Sequence, residues 1–459
     1  MQYSDGMRTV QVLAIIVVAA ACGPIDVEGE EIYLDADGED SVESALSAST
    51  VKFSVAGPLS QTLLNQIVSP AHQVRPYQWG IWGANDDIGM INSCKGGQTL
   101  PRTLYPYPCW DKAAFGGWGG FAKKECTSWN ASNVCTATRL TSQVGTSKPG
   151  EELLRERFRA KTASTIWLVG NEPDNFRQDN LLDPVQYARM MAVAADQWRW
   201  AWGKWDQQSR MVFGQITYAR SGIKEWSTSY PNVTMGLDYL KLAYAELKRV
   251  RRNNSAAVAR DIFALSTHEY IGRVVGQHYL HWQVELRRKD WDPTKPDLWD
   301  TMSTWVSGLE EFRNWSNTVD GGLLADKPLY LTEFGALDAF CPSTLLMNGH
   351  PNPGALGEAC PAPAVRGDND YRNDHVFYGR QNDEGLWGMA SWQMFYLKQH
   401  QADWKHAYFF VNSMGKVRGE CVMTVWLSGD KLDCTSGRDA TLSVGGKRYA
   451  DALRRLGIQ

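Results

Sequence analysis

Two carboxylates in this 459-residue chain stand at the ends of short apolar runs. Residues Ser164 to Pro173 read STIWLVGNEP, a β-branched and aromatic run that stops at Gly170, Asn171, Glu172 and Pro173. This is the pattern of a strand buried on both faces of a parallel sheet. Pro173 cannot continue a ladder, which puts Asn171 and Glu172 at the C-terminal rim of that strand. Residues Lys327 to Gly335, KPLYLTEFG, close in the same way on Glu333. Between them, Ile262 to Tyr270 reads IFALSTHEY and places His268 and Tyr270 two apart, on one face of a strand. Two opposed carboxyl groups are what cleavage of a glycosidic bond requires. With retention, one attacks the anomeric carbon while the other protonates the leaving oxygen and then activates water. The acid must hold a proton while its partner stays ionised. In such a site the Asn171 amide can bond the sugar 2-hydroxyl. If their face is inward, Tyr270 can donate its phenol to Glu333, and His268 can meet either the substrate or the carboxylate pair.

The elements that must position these residues alternate along the chain. Val51 to Gly57 reads as a first strand, Pro58 to Val68 as a helix, and Val74 to Trp82 as a second strand. Glu151 to Thr162 is helical and precedes the Glu172 strand. A helix follows from Asp183, with Asp as N-cap and Pro in the first turn, to about Trp205. Then come a strand (210–218), a helix (235–252), the His268 strand, a helix (298–315), the Glu333 strand, a helix (383–399), a closing strand (404–411) and a last helix (442–456). This alternation without repeats predicts an α/β fold, a (β/α)8 TIM barrel with disulfide-stapled loop insertions. In such a barrel the C-terminal strand ends carry the chemistry. Residues 85–150, rich in Gly, Pro, Trp and Cys, lack periodicity and read as an insertion over the barrel mouth hiding one weak strand. Trp198, Trp202 and Trp205 share a helix face with Met191 and Ala195, as core residues do.

Composition agrees with a globular enzyme and points away from nucleic acid: net charge is -4, with 43% hydrophobic and 21% charged residues. Residues 1–22 read as an export segment, with Arg8 before the apolar run Val10 to Ala21, too short to span a bilayer permanently. Small residues directly before Cys22 fit a lipoprotein signal, in which Cys22 is lipidated and tethers the protein to a membrane. A plain secretory peptide cut near Ala21 is the other reading. Residues 23–50 are acidic and polar, a disordered tether, and 51–459 form the catalytic domain. Nine cysteines leave eight once Cys22 is set aside. The simplest pairing is by neighbours: Cys94/Cys109, Cys126/Cys135, Cys341/Cys360 and Cys421/Cys434.

The segments around 170–174 (GNEPD), 268–270 (HEY) and 331–335 (LTEFG) resemble the large clan of retaining (β/α)8 glycoside hydrolases. Asn171 to Asn175, Gln178 to Asn180, Asp183-Pro184 with Tyr187, Asp261 to Phe263, Phe312-Arg313 with Trp315, and Lys327 to Leu329 further resemble exported bacterial glycoside-hydrolase-like barrel proteins. The match covers about residues 155–340. The resemblance implies Glu172 on strand 4 as acid/base, Glu333 on strand 7 as nucleophile, Asn171 as the 2-hydroxyl ligand and Tyr270 as the partner of the nucleophile. Two features depart from the clan. The last strand offers Tyr408, Phe409 and Phe410 where members carry Trp, with Trp392 in the preceding helix, and Arg75 is the nearest counterpart of an Arg on strand 2.

The expectation is an exported, monomeric hydrolase at the cell surface, acting on a β-linked polysaccharide or oligosaccharide by double displacement without metal or cofactor. Trp79 and Trp82 are candidate sugar platforms or core residues. Asp174 and Arg177 bind substrate or structure their loop, and His278 and His281 lack a third ligand for a metal. The alternative is a non-catalytic carbohydrate-binding or surface protein on the same barrel.

Overall fold

The computed structural model describes residues 50–56, 61–76, 87–94, 102, 105–131, 133, 135–142, 148–175, 181–225, 233–271, 296–336, 393–394, 396–410, 416–417, 420–421, 450 and 453–454. Along the chain come β1 (Lys52–Ala56), α1 (Gln61–Ile67), β2 (Ile88–Ile91), β3 (Tyr107–Asp111), β4 (Gly120–Trp129) and β5 (Cys135–Thr141). Then follow α2 (Gly150–Arg159), β6 (Ile166–Val169), α3 (Pro184–Trp202), β7 (Met211–Ile216), α4 (Gly236–Val250) and α5 (Ser255–Asp261). The series closes with β8 (Ile262–Ile271), α6 (Pro296–Thr318), β9 (Leu329–Ala336) and β10 (Trp404–Phe410).

Seven strands form one parallel sheet in the order β1-β10-β9-β8-β7-β6-β2. Every pairing in it is parallel, as helical crossovers dictate. Alternate residues split between two layers. Phe53, Trp167, Phe213 and Leu331 belong to the large core with the helices, whereas Ala56, Met90, Leu168, Val212, Ala264, Tyr330 and Tyr408 form a smaller cluster on the other face. Both faces are therefore dry, which is why the strand sequences read as continuous apolar runs.

On the free edge of β1, Gln73 makes a single parallel bridge to Phe53, and Val74 N–H donates to Phe53 O at 3.1 Å. The strand expected at 74–82 is not formed at Val74–Pro76, and its remainder, with Trp79 and Trp82, lies outside the described residues. Arg75 is exposed and pairs with Asp87 at 3.2 Å, so it takes no part in a buried site. The described architecture is thus a mixed α/β fold around a curled seven-stranded parallel sheet.

Residues 85–150 are more regular than their composition suggested. They contribute β2 to the sheet edge and then an antiparallel three-stranded sheet, β3-β4-β5. Cys94–Cys109 fastens β3 to the C-terminal end of β2, and Cys126–Cys135 ties β4 to β5. Both pairings are the neighbour pairings expected. The Cys341/Cys360 and Cys421/Cys434 pairings, Trp392, Arg177, His278, His281 and the N-terminal segment with Cys22 lie outside what is described. Trp198 is in the core and Trp202 packs against it, but Trp205 lies beyond the end of α3 and is exposed. The helix stops at Gly203, whose left-handed φ of 62° caps it one turn before the expected end.

Candidate active site

The site begins where β6 runs out. Asp183 caps α3 by accepting from Gln186 N at 2.8 Å, which fixes the first turn of that helix. That turn delivers Tyr187, whose Oη lies 2.9 Å from Val169 O and 2.8 Å from Gly214 O and accepts from Gly214 N at 2.9 Å. The ends of β6 and β7 are thereby pinned together. Gly214 is obligatory there: its φ is 128°, and a Cβ would stand 2.0 Å from Ser266 O.

Beyond this pin the backbone turns through Glu172, whose φ is 44°, and Gln215, whose φ is 53°. Left-handed conformations are rare for such residues and cost on the order of 1–3 kcal/mol each. They are held against each other, since Glu172 N–H donates to Gln215 O at 2.9 Å. Asp174 anchors the turn from beneath. It accepts from Thr217 N (3.0 Å), Thr217 Oγ1 (2.8 Å) and Gly236 N (2.7 Å), joining the loops after β6 and β7 to the start of α4. Asp174 thus structures its loop. Burial nevertheless outweighs these donors and, with the charge of Glu172, pushes its pKa up to about 6.

His268 faces Glu333 directly across the β8–β9 ladder, just after a register shift at Thr267/His268. Its Nδ1 lies 3.3 Å from Glu333 Oε2 and 3.2 Å from Glu172 Oε1. The second oxygen of Glu172 accepts from Asn175 Nδ2 at 2.6 Å. All three residues are buried, and their facing atoms lie within 4.8 Å of one another. In a flat sheet β6 and β9, three strands apart, would be separated by about 14 Å. Convergence of their carboxylates on one imidazole therefore requires the sheet to curl, so the fold itself creates the pair.

Between two ionised carboxylates, Nδ1 serves as the donor. Burial disfavours the charged ring, but the Glu333 charge, the Glu172 hydrogen bond and the Glu172 charge together raise the His268 pKa above its ordinary value. Glu172, His268 and Glu333 are also the group among the described residues with donor types that could hold a metal. Among the described residues the second nitrogen of His268, Nε2, is buried without a hydrogen-bond partner, whereas a metal-bound imidazole is normally oriented through that atom. The set fits a shared proton better than an ion.

Of the residues singled out in the sequence, the structure brings Glu172, Glu333 and His268 together. Asn171 is buried next to Glu172 in the chain, and its Oδ1 has no hydrogen-bond partner among the described residues. Only the backbone of Tyr270 is described, paired with Gly335. Sequence reasoning gave no task to Asn175, Tyr187 or Gln215. The first two stood inside the quoted segments 171–175 and 183–187, so their positions carried the signal and their contacts supply its cause.

No protein-family model matches the chain, and no curated protein matches it. Solved structures similar in part include two of one protein. BuGH86 in complex with neoagarooctaose, as a variant and as wild type, gives TM-scores of 0.35 and 0.31 at 9% identity. The likeness covers 69% of this chain and 42% and 41% of those chains, so the chain spans about two fifths of their length.

Proposed function

We propose that this protein is a retaining glycoside hydrolase acting on a β-linked polysaccharide, with Glu333 as nucleophile and Glu172 as acid/base. The observation that carries this reading is the carboxylate separation. One oxygen of Glu172 lies within 4.8 Å of one oxygen of Glu333, nearer to the ~5–5.5 Å spacing of double displacement than to the ~6.5–9.5 Å of an inverting pair.

In the resting site the His268 imidazolium stands between two carboxylates, one proton serving three groups. On substrate binding that proton crosses the 3.2 Å from Nδ1 to Glu172 Oε1, loading the acid and leaving Glu333 ionised. Glu333 attacks the anomeric carbon as the leaving oxygen takes the proton from Glu172. A glycosyl ester on Glu333 results. Glu172, now a carboxylate, removes a proton from water; the water oxygen bonds to the anomeric carbon and Glu333 departs. Asn175 holds the second oxygen of Glu172 in place throughout. Asn171, whose buried oxygen has no hydrogen-bond partner among the described residues, is the ligand for the sugar 2-hydroxyl, and Tyr270 is the further partner of Glu333.

The proposal extends to the rest of the chain. The sheet is part of a (β/α)8 barrel, and the protein is exported and lipidated at Cys22. Among the described residues no helix is long and apolar enough to cross a membrane. The test is incubation of the mature protein with β-glucans, xylans, mannans and galactans, reading released reducing ends, beside Glu172→Ala and Glu333→Ala. Release from one polymer, lost in both variants, is expected. Binding without release in the wild type would replace this reading with a carbohydrate-binding protein.

A further inference from the structure

Between β3 and β4 the chain makes a turn that exposes two aromatic rings. Phe115 and Trp118 are 50% and 56% exposed, in a stretch whose other hydrophobic residues are largely buried. Phe115 adopts φ 52° and ψ 47°, a left-handed conformation that a bulky residue rarely takes. Gly116, Gly117 and Gly119 continue the positive φ, and Trp118 N–H and Gly119 N–H both donate to Ala114 O. Strain of this kind persists where the surroundings enforce it.

Each ring is backed on one side. A Cβ on Gly120 would stand 2.2 Å from Phe115 Cε2, so this ring rests directly on the strand backbone. The Arg189 guanidinium lies 5.1 Å from the centre of the Trp118 ring. An aromatic face held from behind complements the face of a pyranose ring, which offers C–H groups to it. A protein partner would call for a broader apolar patch than two rings among charges.

The turn is also wired to the loop that carries Glu172. Gln186 Nε2 donates to Gly117 O at 2.9 Å and to Lys112 O at 3.0 Å, and Lys112 Nζ reaches Leu181 O at 3.5 Å. Leu182 N–H in turn donates to Pro173 O at 2.8 Å, one residue from Glu172. A second exposed pair, Trp200 and Trp205, shows the contrast. Those rings meet edge to face at 5.5 Å, and Trp200 sits 14 residues beyond Gln186 on α3, about 21 Å along the helix.

We infer that the Phe115–Trp118 turn is a sugar-stacking platform, an outlying subsite for a polysaccharide chain that extends from the carboxylate pair. This rests on the proposed hydrolase reading for its ligand class. The test uses the full mature chain in affinity electrophoresis through soluble β-glucan, xylan, mannan and galactan, with polymer hydrolysis measured in parallel. Trp118→Ala and Phe115→Gly are the variants. The second relieves the left-handed backbone, so a loss of binding there is not a loss of folding, and thermal melting of both variants records this. Each is expected to weaken polymer retardation and raise polymer KM about 5–10-fold, with the loss in KM rather than kcat and larger on polymer than on a short aryl glycoside. Trp205→Ala should bind polymer like the wild type.

If the wild type cleaves polymer and both variants bind and cleave it equally well, the platform is wrong and the hydrolase reading stands. If the wild type is retarded but cleaves nothing, and the variants lose retardation, the platform stands without the hydrolase. Wild-type protein that no polymer retards overturns the platform.

Discussion

At the N-terminal end of β8, Asp261 is held by Arg199 at 2.9 Å and by Arg251 at 2.6 Å, and both arginines also reach Asp196. At the C-terminal end of the same strand, His268 stands between Glu172 and Glu333. Both clusters take charge out of water, which is costly unless each charge is met. The first meets two carboxylates with two permanent cations, adds backbone carbonyls at Ala192, Gln207 and Arg260 as acceptors, and has nothing left to exchange. The second sets two carboxylates against one titratable ring and, among the described residues, leaves His268 Nε2 and Asn171 Oδ1 without hydrogen-bond partners. The same sheet therefore carries a balanced cluster that locks helices to a strand and an unbalanced one that can move a proton.

Substitutions should break the two clusters in different ways. Glu333→Ala removes the proposed nucleophile and should lower kcat by on the order of 10⁴-fold or more while the melting temperature holds or rises, since one of two like charges is gone. Added azide should restore turnover in this variant with the opposite anomer as product. Arg251→Met should do the reverse. It leaves Asp261 short of a buried partner and should cost about 3–5 kcal/mol in denaturant unfolding, with kcat of the folded fraction unchanged.

His268→Gln sharpens the comparison through pH. The folded pKa of His268 is raised, so its contribution to stability is fully present below the unfolded value near 6.5 and is lost as pH rises through the folded value. The proton that loads Glu172 leaves over the same range, so the wild-type rate should fall on that basic limb. The glutamine variant should be about 10²-fold slower, and both the limb and the matching stability change should disappear. A variant that keeps the limb would assign it to another group. The smallest effect is expected from Asp183→Ala, which removes only the N-cap of α3 and should cost about 1 kcal/mol of stability.

Much of this was legible in the sequence, for reasons that can be named. Parallel strands buried on both faces must be apolar throughout, so β6, β7, β8 and β9 could be placed from their runs. Pro173 marked the rim beside Glu172, and Asp183-Pro184 marked the start of α3. The antiparallel sheet β3-β4-β5 was hidden because β5 is largely exposed and β4 is half polar, which blurs any alternation. Convergence on His268 was not legible either. It depends on the curl of the sheet and on a register shift at Thr267, which are properties of pairing rather than of one strand. Asp174 and Asn175 were visible as residues, but their partners Thr217, Gly236 and Glu172 are set by turns whose left-handed backbone no side-chain type announces.

The central claim is that Glu172 and Glu333 act as a double-displacement pair. Its most direct test is proton NMR of the first sugar released from the cleaved polymer, taken before mutarotation. The account predicts a product anomer with the configuration of the bond that was cut. An inverted anomer, or no release from any of the polymers, would contradict it.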